Sequence, residues 1–128
     1  MVGGFSVLKD VSKTRVYQLA TYRNSEHIFP SSLMTRPPSA ELFENQKDED
    51  TLPPYDQLDP ILELYVEQDK SVDDIVKAGF TREAAQKVIN LVNKNEYKRR
   101  QLALGPRITP RAFGRERRYP ITSGFLSS

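Results

Sequence analysis

Two proline pairs, Pro37-Pro38 and Pro53-Pro54, bracket an acidic run interrupted by one cation, Lys47, in the stretch RPPSAELFENQKDEDTLPPYDQLD. Proline lacks the backbone N–H and its ring clashes with the preceding turn, so no helix interior or central strand passes through either pair. With Pro30, Ser31, Ser32 and Ser39 adding further turn signals, the whole stretch from Asn24 to Pro54 has no periodicity and reads as one long loop. A loop of that length in a compact domain is either functional or a solvated linker, and composition alone leaves both open.

Regular structure is therefore confined to the two sides. MVGGF opens with adjacent glycines, suited to a tight turn or a close backbone approach to a ligand. Asp10 and Ser12 are both candidate caps for a helix over about Ser12–Tyr22, with Val16, Leu19 and Ala20 on one face. Beyond the loop, Leu58, Ile61, Leu62 and Tyr65 fall at i, i+3, i+4 and i+7, which predicts an amphipathic helix with Pro60 in its first turn. Ser71 caps a second helix, with Asp73 and Asp74 near its positive end and Gly79 as its stop. Thr81 caps a third, TREAAQKVINLVNKNEYKRRQ, striped by Ala85, Val88, Ile89 and Val92. The expected chain is mainly α: residues 1–54 as a helix plus the Pro-rich acidic loop, 55–101 as a three-helix bundle, and 102–128 as an irregular basic tail. Gly105, Pro106, Pro110, Gly114 and Pro120 interrupt that tail, and its Leu, Ile and Phe residues are anchors for wrapping over another surface.

A length of 128 residues with 38% hydrophobic content suffices for one core. The net charge of +2 is too small to imply nucleic acid by itself. Its distribution says more, since acids crowd the middle and bases the end, which suits either an anionic partner near the basic end or two regions that face each other. The absence of cysteine excludes disulfides and thiolate chemistry, and the single histidine, His27, cannot build a usual zinc site. No apolar run approaches the roughly 20 residues that span a bilayer, and the first residues lack signal-peptide features, so the expected compartment is the cytoplasm. No Gly-rich phosphate loop, histidine pair or nucleophile beside a base occurs, and no catalytic residue or metal ligand set is expected. Lys98, Arg99 and Arg100 end a predicted helix, where cations complement the dipole; beside Tyr97 the same cluster also suits a phosphate or nucleotide.

Four segments taken in order, GGFSVLKDVSKTRVYQLATYRN, PPSAEL with the acidic QKDEDTLPPYDQLD, NEYKRRQ, and PRAFGRERRYPITSGF, together resemble the end of bacterial glutamine-dependent NAD synthetases, within the N-type ATP pyrophosphatase superfamily. The resemblance implies the C-terminal helical part of an α/β synthetase domain. Such enzymes adenylate the nicotinate carboxylate of deamido-NAD with ATP, with magnesium as counter-charge in the substrate complex, and ammonia released from glutamine then displaces AMP. Lys13 matches a family lysine that contacts ATP phosphates, and Ser39 stands where relatives place a hydroxyl on the nucleotide. Tyr97 and Lys98 correspond to a histidine and a lysine that meet deamido-NAD, the tyrosine being a departure. Lys47, on physical grounds, is a lone cation positioned to close over phosphates, and the loop around it becomes a mobile cover. The family's Ser-Gly-Gly-x-Asp-Ser pyrophosphate loop, its magnesium-binding acid, the sheet strands and the glutaminase domain are expected before Met1. The chain is accordingly expected to be an inactive fragment alone, from a parent that is a homo-oligomer.

Two other readings stay open at this point. VDDIVKAGFTREAAQKVINLV resembles the helix, GF turn, helix pattern of ubiquitin-associated modules, which bind proteins. An RNA-binding tail led by Arg99 to Arg118 would give binding that weakens steeply with salt.

Overall fold

The computed structural model describes residues 4–35, 52–113 and 116–122. Helix α1 spans Lys13–Arg23, and its N-cap is Ser12, whose hydroxyl accepts from the Arg15 N–H at 3.4 Å. A 3₁₀ turn at Asn24–Glu26 and a short helix α2 at Ser31–Thr35 follow. The described part of the expected loop thus holds only short helical turns, while the acidic run itself lies outside the described residues.

The expected apolar face of α1 does not become a core stripe. No residue of α1 is buried, and Leu19 is 48% exposed. Polar contact ties the helix down instead: the Asp59 carboxylate accepts from the Thr14 backbone N–H at 2.8 Å and from its hydroxyl at 2.7 Å. A side chain from another helix therefore satisfies a donor that the first turn of α1 would otherwise leave open.

Helix α3 runs Tyr55–Leu62 with Pro54 as its N-cap. Pro60 is not in the first turn as expected but inside the helix. Pro54 sets the start one turn earlier than the apolar pattern suggests, and Pro60 leaves the Asp56 carbonyl without its intrahelical donor. The chain then widens into a π-helical turn at Glu63–Glu67, closed by the Gln68 N–H on the Glu63 carbonyl at 3.2 Å. Helix α4, Val72–Lys77, begins with a capping box between Ser71 and Asp74. It ends at Gly79 as expected: φ is 106°, and the Phe80 and Gly79 N–H groups reach the Ile75 and Val76 carbonyls at 3.4 and 3.0 Å. These two bonds are those of a Schellman stop, which needs a residue free of Cβ strain at that φ.

Thr81 caps helix α5, Arg82–Lys94, and a separate helix α6 covers Glu96–Arg100. The single helix expected through this region breaks at Asn95, whose side-chain amide donates to the Leu91 carbonyl at 2.8 Å. Asparagine competes with the backbone for such carbonyls, and the helix turns there.

The core lies where the periodicity put it. Leu58, Ile61, Tyr65 and Val66 from α3 and the π turn meet Ile75 of α4 and Ala85, Val88, Ile89 and Val92 of α5. After α6 the chain passes over the N-terminal segment, with an isolated parallel bridge between Phe5 and Leu104 and the Ser6 N–H on the Leu104 carbonyl at 2.6 Å. A Cβ at Gly105 would fall against the Ser6 carbonyl oxygen and Lys9 Cβ, so the crossing requires glycine. Phe113 and Tyr119 then pack on the core, and the described residues of this last segment form no helix or strand.

Ile89→Ala, at a site only 2% exposed, should lower unfolding free energy by about 2–5 kcal/mol. Leu19→Ala on α1 should change it by less than about 0.5 kcal/mol. Urea unfolding of the two variants beside the parent chain measures the difference.

Candidate functional site

Two hollows lie on either side of a wall formed by Leu58, Leu62 and Phe113. The larger, about 560 Å³, is lined by Lys13 and Arg15 of α1, by Asp59 and Glu63, and by Thr109 and Arg111 of the last segment. Two backbone donors of the first turn of α1 are already used, Thr14 by Asp59 and Arg15 by Ser12. Beside them α1 brings two cationic side chains to the hollow, Lys13 and Arg15. Carboxylates share the hollow, and Glu67 has its pKa raised by burial and by the nearby charges of Glu63 and Asp10.

The second hollow, about 410 Å³, is an apolar groove lined by Leu62, Val88 and Val92, with Lys98 and Arg99 among the polar residues at its wall. Both cations come from α6. Arg99 Nη2 donates to Glu96 Oε2 at 2.7 Å, and Arg100 Nε to Glu96 Oε1 at 2.9 Å. Glu96 is 1% exposed. Burial pushes its pKa up, but the hydrogen bonds from Arg100 and Arg99 outweigh this and hold it below its ordinary value. The Arg99 guanidinium also lies 4.8 Å from the centre of the Phe113 ring. Lys98 is exposed and carries its ammonium 6.0 Å from the Tyr97 ring, itself 45% exposed.

Of the residues singled out in the sequence, Tyr97 and Lys98 therefore sit together on α6, while Lys13 lines the other hollow. Ser39 and Lys47 lie outside the described residues. Phe80 of the GF turn is half-buried and packs against the core. Arginines of the last segment also find partners inside the chain: Arg107 pairs with Glu116, and Arg111 and Arg117 both pair with Asp69. The uneven charge distribution is thus taken up in part by regions facing each other.

Three groups went unremarked as site builders in the sequence. The Asp10 carboxylate is buried and accepts four hydrogen bonds, from the Ile108 and Thr109 N–H groups and the Thr109 hydroxyl at 2.8 Å each and from the Phe113 N–H at 3.2 Å. Burial raises its pKa, yet these donors outweigh it and leave it lowered. Arg117 lies 4.0 Å from the Tyr65 ring centre and donates to the Tyr65 carbonyl at 2.6 Å, while the Tyr119 hydroxyl donates to that of Tyr65 at 2.6 Å. Burial and the Tyr65 contact push the Tyr119 pKa up to about 12, against the opposing pull of Arg117. Glu96 is the third. The partners of Asp10 lie 98 to 103 residues away, and no local pattern signals such a contact.

The sequence matches the family described as NAD synthase over residues 1–102. It is 59% identical over 128 residues to the glutamine-dependent NAD(+) synthetase of Acinetobacter baylyi, covering 98% of this chain and 24% of that protein. With the Aquifex aeolicus protein of the same name it shares 52% over 127 residues, covering 98% of this chain and 22% of that one. The solved structure of the glutamine-dependent NAD+ synthetase of Acinetobacter baumannii in complex with ADP is 51% identical and superposes with a TM-score of 0.55, covering 100% of this chain and 22% of that one. The chain thus spans under a quarter of the length of these relatives. Among the described residues no helix is long and apolar enough to cross a membrane.

Because the Glu96 pKa is lower in the folded chain than the ordinary 4.5, its contribution is fully present above pH 4.5 and disappears as pH falls through the folded value. Glu96→Gln should destabilise the chain at pH 7 and flatten the loss of stability below pH 4.5, as read by urea midpoints across a pH series.

Proposed function

The chain belongs to the NAD synthase family, and from that premise we propose that it forms the C-terminal helical part of an α/β synthetase domain in a glutamine-dependent NAD synthetase. One observation carries this reading: 59% identity sustained over 98% of the chain to a protein of that activity. Residues 1–54 supply a helix and a loop that covers the nucleotide, 55–101 the supporting helices, and 102–128 the closing tail.

The proposed reaction is a ligation. A carboxylate oxygen of the nicotinate ring of deamido-NAD attacks the α-phosphorus of ATP and pyrophosphate leaves. Ammonia, released from glutamine in a separate domain, then attacks the acyl carbon and AMP departs with the electron pair. No protein nucleophile is required; the site must hold phosphates in line, balance their charge and keep water from the adenylate. Lys13 and Ser39 are assigned to ATP, Lys98 and Tyr97 to deamido-NAD, and Lys47 to phosphates. The solved Acinetobacter baumannii relative is a complex with ADP, which supports nucleotide binding by the parent enzyme. Among the described residues no three carboxylate or histidine side chains converge as a metal site, and magnesium enters with ATP as part of the substrate complex.

The apolar groove beside Lys98 and Arg99 suits a flat aromatic ring with a charged substituent, and an exposed lysine serves as the point charge. The 128 residues contain no Ser-Gly-Gly-x-Asp-Ser loop, so alone they should not form NAD. The same reading places the enzyme in the cytoplasm as a homo-oligomer.

The test transfers these residues into the Acinetobacter baylyi enzyme in place of its matching 128-residue region and assays NAD formed from deamido-NAD, ATP and ammonia. The chimaera should be active. Lys98→Ala should raise KM for deamido-NAD roughly tenfold to a hundredfold, the equivalent of about 1.5–3 kcal/mol for a hydrogen bond to a charged group. A folded chimaera that makes no NAD would sink the reading.

A further inference from the structure

Asp10 stands three residues before Lys13, and both line the larger hollow. The Asp10 carboxylate grips the chain at Ile108, Thr109 and Phe113, a segment that follows α6 and carries no regular structure of its own. Phe113, at the far end of this grip, forms part of the wall between the hollows and lies 4.8 Å from the Arg99 guanidinium. Arg99 is 8% exposed, is held by Glu96 and is the immediate neighbour of Lys98. A continuous set of short contacts thus joins the start of α1 to α6, across 85 residues of sequence between the two lysines.

The segment before α1 also meets the chain just past α6, with Lys9 Nζ donating to the Ala103 carbonyl at 2.8 Å and the Ser6 N–H to the Leu104 carbonyl at 2.6 Å, but these contacts touch neither the wall between the hollows nor Arg99. Helix α1 buries no side chain, and its tie to the bundle runs through Asp59 on α3. The Asp10 grip is the contact that reaches α6 by way of a single aromatic ring.

We infer that the segment Ile108–Phe113 is a strut that fixes Lys13 relative to Lys98, with Asp10 and Phe113 as its positioning residues. The inference rests on the assignment of those lysines to ATP and deamido-NAD. Its consequence falls on the adenylation step, in which the carboxylate of one nucleotide must meet the α-phosphorus of the other in line. Loosening the strut leaves each lysine free to bind its own nucleotide, so KM values hold. The near-attack geometry is lost, and a misplacement of about 1 Å costs on the order of 10²-fold in rate.

The variants follow from the hydrogen bonds. Asp10→Asn keeps the size but replaces one acceptor oxygen with a donor. With its remaining oxygen on Ile108 and Thr109, the new amide faces the Phe113 N–H, donor against donor, and the end of the strut is released. Phe113→Leu keeps an apolar filler and removes the ring from Arg99, whereas Phe113→Tyr restores a ring.

In the chimaera described above, Asp10→Asn and Phe113→Leu should each lower kcat for NAD formation from ammonia roughly tenfold to a hundredfold, with KM for ATP and deamido-NAD within about threefold of the parent. Phe113→Tyr should keep the parent kcat. A purely structural role would lower the melting temperature and the folded yield while leaving kcat per folded enzyme unchanged, and that result overturns the strut. Should Asp10→Asn fail to fold, Phe113→Leu against Phe113→Tyr decides on its own. If the unsubstituted chimaera makes no NAD, the assignment beneath the strut falls and the strut falls with it. If that chimaera is active and both variants match its kcat, only the strut falls.

Discussion

A buried carboxylate with four donors is the contact on which the arrangement of this chain turns. Asp10 sits outside α1, next to no core residue in sequence, and holds together the two ends of the described structure. Burying a charge is costly unless its lone pairs are satisfied, and here backbone N–H groups with no helix or strand to serve do that. The exchange is mutual: the last segment gains partners for its amides, and the carboxylate keeps its charge. Without it, Phe113 has no anchor on the N-terminal side, and the wall between the two hollows loses one of its members.

Polar and cation–π contacts recur wherever the tail meets the helices. Arg117 is stacked on Tyr65 and bonded to its carbonyl, Arg100 donates to the Tyr119 carbonyl at 2.8 Å, and Asp69 joins two arginines from the tail. Asp69 holds φ at 57°, a left-handed conformation that aspartate tolerates better than most residues, at the turn after the π segment. Exposed pairs of this kind contribute little each, so the half-buried Arg117, gripped between two tyrosine rings, is the stronger fastening. The apolar bundle supplies the rigid body, and the tail binds onto it through arginine.

The bundle was legible in the sequence because its stabilising term is periodic. Ala85, Val88, Ile89 and Val92 announce a buried face at helical spacing, and Ser71, Thr81 and Gly79 mark its boundaries through local backbone chemistry. Boundaries that depend on competition were not legible: Asn95 divides a run with good helical pattern, and Pro60 sits where the pattern alone forbids it. For α1 the sequence suggested an apolar face, whereas the structure holds the helix through Asp59, a residue 45 positions away. Family segments pointed to Lys13 and Lys98, and the Glu96 pairs with Arg99 and Arg100 fall at the helical i,i+3 and i,i+4 spacings, but the grip of Asp10 on Thr109 has no sequence period to reveal it. Long-range polar contacts are specified by geometry that appears only after the bundle has formed.

The most direct measurement is amide hydrogen exchange at Ile108, Thr109 and Phe113 in the 128-residue chain at neutral pH. If the carboxylate grip organises the tail, these three amides exchange far more slowly than an unstructured chain, and Asp10→Asn speeds Phe113 most. Exchange of all three at the unstructured rate in the unaltered, folded chain would contradict the account.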